Sequence, residues 1–397
     1  MRMQYLIAAL VWALASCGGS KTNQVVGGAP TDAYGWLQAR EAYPRPGEGA
    51  FDVRWHEQLT DSLDSKFIPV ELATAGLDAS RNRIYIGTTE GNLFGFQLDG
   101  RKDFVYEVGA PVEGPPTADF GGGVFVPAVD GQLHSLDAAG ELRWKTNLTG
   151  ALRNAPVVTD DAVYVVGAND IVHAVARDDG RILWAYENEP IDEITIAGHA
   201  GLLLDHGRLY TGFTDGAVAA IDAVDGRILW ELDTSIDVDL RPGDVPQFLD
   251  VDTTPVLIDG VLYVASFNAG LYALDPESGT VQWREPQLGG IVALAAAGPM
   301  LVIASARRGV LLFDPVKREV RWERANERGA PTQPVVTEFG TLLYGETQGS
   351  LLSLRLSDGA EIARAESGYG FSGAPTVLGT VGAALSNGGN FLCLRVH

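Results

Sequence analysis

Two carboxylates at alternate positions, Asp250 and Asp252, open the run Asp250-Val251-Asp252-Thr253-Thr254-Pro255-Val256. On an extended segment both side chains point one way and Val251 points the other. Such a pair can accept hydrogen bonds from a partner's backbone or basic side chains, each contributing roughly 1.5–3 kcal/mol when charge-assisted. The pair belongs to an acidic run with Asp237, Asp239 and Asp244, but the run lacks the EF-hand spacing and its terminal glutamate. The six histidines contain no H-E-x-x-H and no close pair, and no cysteine joins His199 and His206. Gly368-Tyr369-Gly370-Phe371-Ser372-Gly373 matches G-x-G-x-x-G, yet it follows no βαβ strand, opens no helix and runs into Pro375. Neither a P-loop nor a G-x-S-x-G elbow occurs. The expectation is a binding protein with no catalytic residue, no metal ligands, no cofactor and no small-molecule substrate.

The elements that must carry these residues are short strands. One unit recurs, seen in Val218-Ala219-Ala220-Ile221-Asp222 through Gly226 to Trp230, and in Leu271-Tyr272-Ala273-Leu274-Asp275 through Gly279 to Trp283. Further copies end at Trp144, Trp184 and Trp322, so the intervals are 40, 46, 53 and 39 residues. A period near 40 with four short strands per copy is that of a propeller blade. Glycines in Asp-Gly turns supply the positive φ of tight hairpins, and no long segment shows a helical period. The closing tryptophan is expected to cover an inter-blade gap. Innermost strands are expected near Val70, Pro116, Pro156, Gly198, Pro255, Val292 and Pro334. An eighth copy begins at Ala374-Pro375 and lacks its last strand, which Phe51-Asp52-Val53-Arg54-Trp55 can provide. The fold class is therefore an all-β, eight-bladed propeller over residues 51–397, closed by residues 51–59. Joining the two chain ends in one sheet pairs edges that would otherwise be exposed.

The first residues read as targeting. Arg2 and the apolar stretch Tyr5 to Leu14 form a signal too short to span a bilayer. Leu14-Ala15-Ser16-Cys17 resembles a lipobox, which makes residues 1–16 a cleaved signal peptide and Cys17 the lipidated residue. Gly18, in place of an aspartate, implies transfer to the outer membrane. Several acyl chains anchor stably where one does not. Residues 17–50, rich in Gly, Pro and polar residues, read as a flexible tether. The other cysteine, Cys393, lies in an apolar strand-like run and reads as a small buried hydrophobe. The net charge of -22 repels nucleic acid and anionic headgroups and favours a neutral or basic partner surface.

The Asp-x-x-x-Gly-x-x-x-Trp unit resembles the quinoprotein-type repeat. The quinone-dependent dehydrogenases that share it hold their cofactor with adjacent cysteines, which this chain lacks. The lipobox, tether, eight blades and the Asp250 to Val256 stretch together resemble the BamB family, lipoproteins of the outer-membrane β-barrel assembly machinery. That resemblance implies a non-enzymatic scaffold, lipid-anchored at the periplasmic face of the outer membrane, with a BamA-like barrel subunit as protein partner; the fold alone leaves open another periplasmic binding lipoprotein with a protein or polysaccharide partner. It puts the partner contact on Asp250 and Asp252, and on Ile194 and Ile196 in Ile194-Thr195-Ile196-Ala197-Gly198. In the family's second contact element an arginine stands where this chain has Ala197, so a charge-assisted contact is missing here.

Overall fold

The computed structural model describes residues 51–61, 70–188, 199–238 and 249–397. Their strands pair into eight four-stranded antiparallel sheets, the blades of a closed propeller. Blades one to seven take consecutive strands, blade one being Gly76–Asp78, Arg83–Gly87, Asn92–Gln97 and Lys102–Glu107. Blade eight, made of Thr376–Leu378, Val381–Leu385 and Asn390–Val396, takes Phe51–Gln58 as its outermost strand. Phe51 stands opposite Val396 and Gln58 opposite Asn390. The ring closes on the inside too, where the Thr376 hydroxyl donates to the Ala75 carbonyl at 2.8 Å.

One innermost strand differs from the sequence expectation. That of blade one is Gly76–Asp78, not near Val70, because buried Glu71 holds the preceding stretch as a loop. Its carboxylate accepts from the Thr60 hydroxyl at 2.9 Å and the Thr89 amide at 3.1 Å. Blade four begins at Leu203–Asp205, and Gly198 lies outside the described residues.

Burial follows from a strand's rank in its blade. The middle strands Ala162–Val166 and Gly270–Leu274 are buried at every position, whereas the outermost Ile182–Glu187 is not. The core lies between blades. Tyr210, Val218 and Trp230 of blade four pack with Leu262, Tyr272 and Leu274 of blade five. Each such large apolar side chain stabilises the fold by about 1.5–3 kcal/mol.

The recurring features of the repeat are explained by this packing. The Asp275 carboxylate accepts the Glu277 and Ser278 amides at 3.0 and 2.9 Å, which shapes the turn. Gly279 sits at φ +70°, and a Cβ there would lie 2.6 Å from the Trp230 ring. The Trp230 indole N–H donates to the Pro276 carbonyl at 2.9 Å. The tryptophan of one blade thus caps the turn of the next. Trp55, Trp144, Trp184 and Trp322 repeat the bond, to Leu98, Arg177, Ala223 and Leu356. At blade six Arg318 replaces the glycine at φ +58° and lays its guanidinium 5.4 Å from the Trp283 ring centre. Gly226→Ala should lower stability by about 1–3 kcal/mol, because a Cβ at φ +74° would meet Trp184 at 2.6 Å. Thermal melting checks this; an unchanged midpoint would mean the turn does not need the close approach.

Candidate functional site

Antiparallel strand order sorts the loops onto two faces. Turns between first and second strands, and between third and fourth, share one face. The other face carries the turns between second and third strands and every blade-to-blade connection. Asp250 and Asp252 lie on this connection face, just before the innermost strand of blade five, Val256–Ile258. Asn188, His199, Val238 and Leu249, the residues that bracket 189–198 and 239–248, lie in the same connections. Ile194 and Ile196, like Ala197 and the lipidation candidate Cys17, lie outside the described residues.

The Asp250 to Pro255 stretch is held from both sides. The Val251 amide donates to the Phe213 carbonyl at 3.1 Å, and the Phe267 amide donates to the Asp250 carbonyl at 3.1 Å. Val251 enters the core between blades four and five, and a Cβ on Gly212 would meet its Cγ1 at 2.3 Å. The Thr253 hydroxyl accepts the Ala265 amide at 3.1 Å, and the Thr254 hydroxyl accepts the Gly201 amide at 2.9 Å. Sequence alternation suggested two carboxylates turned outward to a partner. Instead, Asp250 is only 1% exposed, and Asp252 is half-buried.

A third carboxylate completes the group. Asp170, buried in a turn of blade three, accepts from the Thr214 amide at 3.1 Å and from the Thr214 hydroxyl. Burial raises its carboxyl above the usual range, against the pull of those hydrogen bonds. For Asp252, burial reinforced by the charges of Asp250 and Asp170 pushes the carboxyl up to about 8. Asp252 lines a cavity of about 260 Å³ together with Asn154, His199, Thr254, Val292 and Pro331. These residues come from the inner ends of blades three to seven, so the cavity lies toward the propeller axis and opens on the connection face. His199 is kept neutral there, its pKa lowered by burial and by the charge of Arg153.

Beside this stretch the structure places Asp237 of the acidic run next to Ile236, a residue that no sequence pattern marks. Asp237 pairs with the Arg284 guanidinium at 3.2 Å and accepts from the Tyr272 hydroxyl at 2.9 Å. It is an ion-pair anchor for the connection. Its neighbour Ile236 is 78% exposed on the connection face. A single apolar residue within an acidic run has no period to reveal it.

Two other sequence features resolve as structure. Phe371 of the glycine-rich run is fully buried, and its amide donates to the Glu346 carbonyl at 2.9 Å. Cys393 is buried in the seam between blades eight and one, and burial pushes its thiol up to about 11.

A family model described as outer membrane protein assembly factor BamB matches residues 52–324, more than half of the chain. The chain belongs to the BamB family. Among curated BamB proteins, that of Yersinia pestis is 25% identical over 270 residues, covering 68% of this chain and 67% of its own. The BamB of Escherichia coli (strain K12) is 25% identical over 245 residues, 62% of each chain. The chain thus spans about two thirds of the length of these relatives or less. The crystal structure of BamB from Moraxella catarrhalis superposes with a TM-score of 0.70 at 22% identity, over 86% of this chain and 99% of that one. Quinohemoprotein alcohol dehydrogenase from Comamonas testosteroni superposes at 0.67 with 14% identity, over 87% of this chain and 76% of that one. At these identities the structural likeness speaks for the propeller alone, which BamB and quinoprotein dehydrogenases share.

Proposed function

We propose that this BamB-family chain is a non-enzymatic scaffold of outer-membrane protein assembly that binds a BamA-like barrel subunit through its connection face. It acts at the periplasmic face of the outer membrane, anchored by lipid on Cys17. The observation that supports this most is the clustering on one face of Asp250, Asp252, exposed Ile236 and the ends of the connections 189–198 and 239–248. Loops on a rigid scaffold are where binding residues concentrate, and an apolar side chain ringed by polar groups suits an interface centre. In this reading Ile194 and Ile196 add apolar area. Buried Asp250 acts by fixing the loop, while Asp252 lines the cavity beside it.

The test measures affinity and melting on the same purified proteins. Asp250→Ala combined with Asp252→Ala should weaken binding to the periplasmic part of the BamA-like subunit at least tenfold. Because Asp250 is buried, that variant can also lose stability. Ile236→Glu supplies a version that leaves the fold intact, and it should weaken binding about tenfold, or about 1.4 kcal/mol, at an unchanged melting temperature. Wild-type affinity in both variants would overturn the assignment of this face.

A further inference from the structure

Among the described residues, the Asp252 carboxylate in the axial cavity has no counter-ion. The Asp252 Oδ2 atom is buried and has no hydrogen-bond partner among the described residues. Three of the neighbouring polar side chains, Asn154, Thr254 and Thr332, are already engaged. The Asn154 amide nitrogen donates to the His199 and Ala200 carbonyls at 3.0 and 3.2 Å. The Thr332 hydroxyl accepts the Gly345 amide at 2.8 Å, as Thr254 accepts that of Gly201. No lysine or arginine lines the cavity among the described residues. Among the described residues, Asp250 and Asp170 add negative charge to Asp252, His199 is held neutral by burial and by the charge of Arg153, and Arg153 is itself paired with Glu113 at 2.7 Å. The apolar part of the lining is formed by Val292, Ala293, Leu294 and Pro331.

An uncompensated buried carboxylate is costly, and a cation brought to it relieves that cost. Anions are repelled by Asp252 in its ionised form. A neutral polyol would leave the charge unbalanced and its own hydroxyls against apolar wall. A short alkyl chain with an ammonium head satisfies both sides of the cavity. About 260 Å³ is room for roughly eight or nine waters at ~30 Å³ each, hence for a compound of only a few carbons.

We propose that the axial cavity is a binding site for a primary alkylammonium group, with Asp252 as its counter-ion and Val292, Leu294 and Pro331 around its alkyl stem. A free small amine and a lysine side chain of a bound protein carry the same chemistry, and the experiment separates them. The inference does not depend on the connection face binding a BamA-like subunit.

The probe is n-butylammonium chloride, titrated calorimetrically into the full propeller, with n-butanol as the uncharged control. Saturable one-to-one binding of the ammonium compound is expected, with none of the alcohol. Affinity should rise with pH up to the point where Asp252 is ionised, and binding near neutral pH should release a proton, read as a dependence on the buffer's ionisation heat. Asp252→Asn keeps the side-chain shape and should weaken binding at least tenfold and abolish the proton release. Val292→Phe, which fills the apolar wall, should also block binding at a retained melting temperature. Adding the BamA-like subunit distinguishes the sources. Competition with butylammonium points to a partner lysine, and undisturbed binding points to a free amine. No saturable binding by the folded wild type, equal binding of butanol, or full affinity in Asp252→Asn would each overturn the proposal.

Discussion

A chain lacking residues 51–59 should melt about 10 °C below the intact propeller and unfold less cooperatively. The deleted strand supplies buried Phe51 and Val53, which pack with Leu343, Leu392 and Leu394 between blades seven and eight. Losing an aromatic and a branched side chain from a core costs about 5 kcal/mol. The deletion also strips the Asn390–Val396 strand of its partner along seven paired positions, and it removes Trp55 from its contact with Phe96 and Phe391. Those losses add a few kcal/mol more. With an unfolding entropy near 2.1 cal/mol/K per residue, a domain of this size loses roughly 1.5 °C per kcal/mol, which gives the stated drop. Differential scanning calorimetry decides the matter. A truncated chain that melts with the intact one would mean that the three remaining strands of blade eight suffice to close the ring.

This closure was legible in the sequence for a simple reason. The last repeat lacks its tryptophan strand, and Phe51 to Trp55 carries the missing pattern at the other end of the chain. The turns were legible because most repeats carry both halves of one recurring contact, a glycine at positive φ that meets the tryptophan of the preceding blade and a tryptophan that meets the turn of the next. The blade-one inner strand was misplaced because the Val70 to Ala75 stretch looks like a strand by composition. What makes it a loop is Glu71, whose partners Thr60 and Thr89 come from other segments. Within the candidate site, alternation put Asp250 and Asp252 on one side of an extended run. Alternation cannot tell whether that side faces solvent or a neighbouring blade. The charges that perturb Asp252 come from Asp250, two residues away, and from Asp170, two blades away. That second contribution exists only once the ring has closed. Ile236 escaped notice because its exposure is fixed by the Asp237–Arg284 pair, again a contact between distant segments.

The buried titratable groups make stability depend on pH in two opposed ways. His134 is 1% exposed, bonded through Nδ1 to the Tyr106 hydroxyl at 3.0 Å, and burial brings its pKa down to about 4. Between that value and the ordinary 6.5 the unfolded chain binds more protons than the folded one, so stability falls as pH drops through this window. His173 and His199 are shifted the same way by burial. Asp252 does the reverse. Its carboxyl, raised from 3.8 to about 8, holds a proton in the folded state that the unfolded chain has released, so its contribution to stability falls as pH rises across that interval. Asp252→Asn removes the ionisation while keeping the shape. The variant should match the wild type near the acid end of the interval and exceed it by a few kcal/mol at the alkaline end, the cost of a desolvated charge. His134→Gln should flatten the acid limb, worth on the order of 3 kcal/mol, and leave the alkaline limb alone. Melting curves of the three proteins across this range separate the two effects. If Asp252→Asn proves less stable than the wild type at the alkaline end, the carboxylate has a compensating partner, and the axial cavity loses the uncompensated charge on which its affinity for a cation rests.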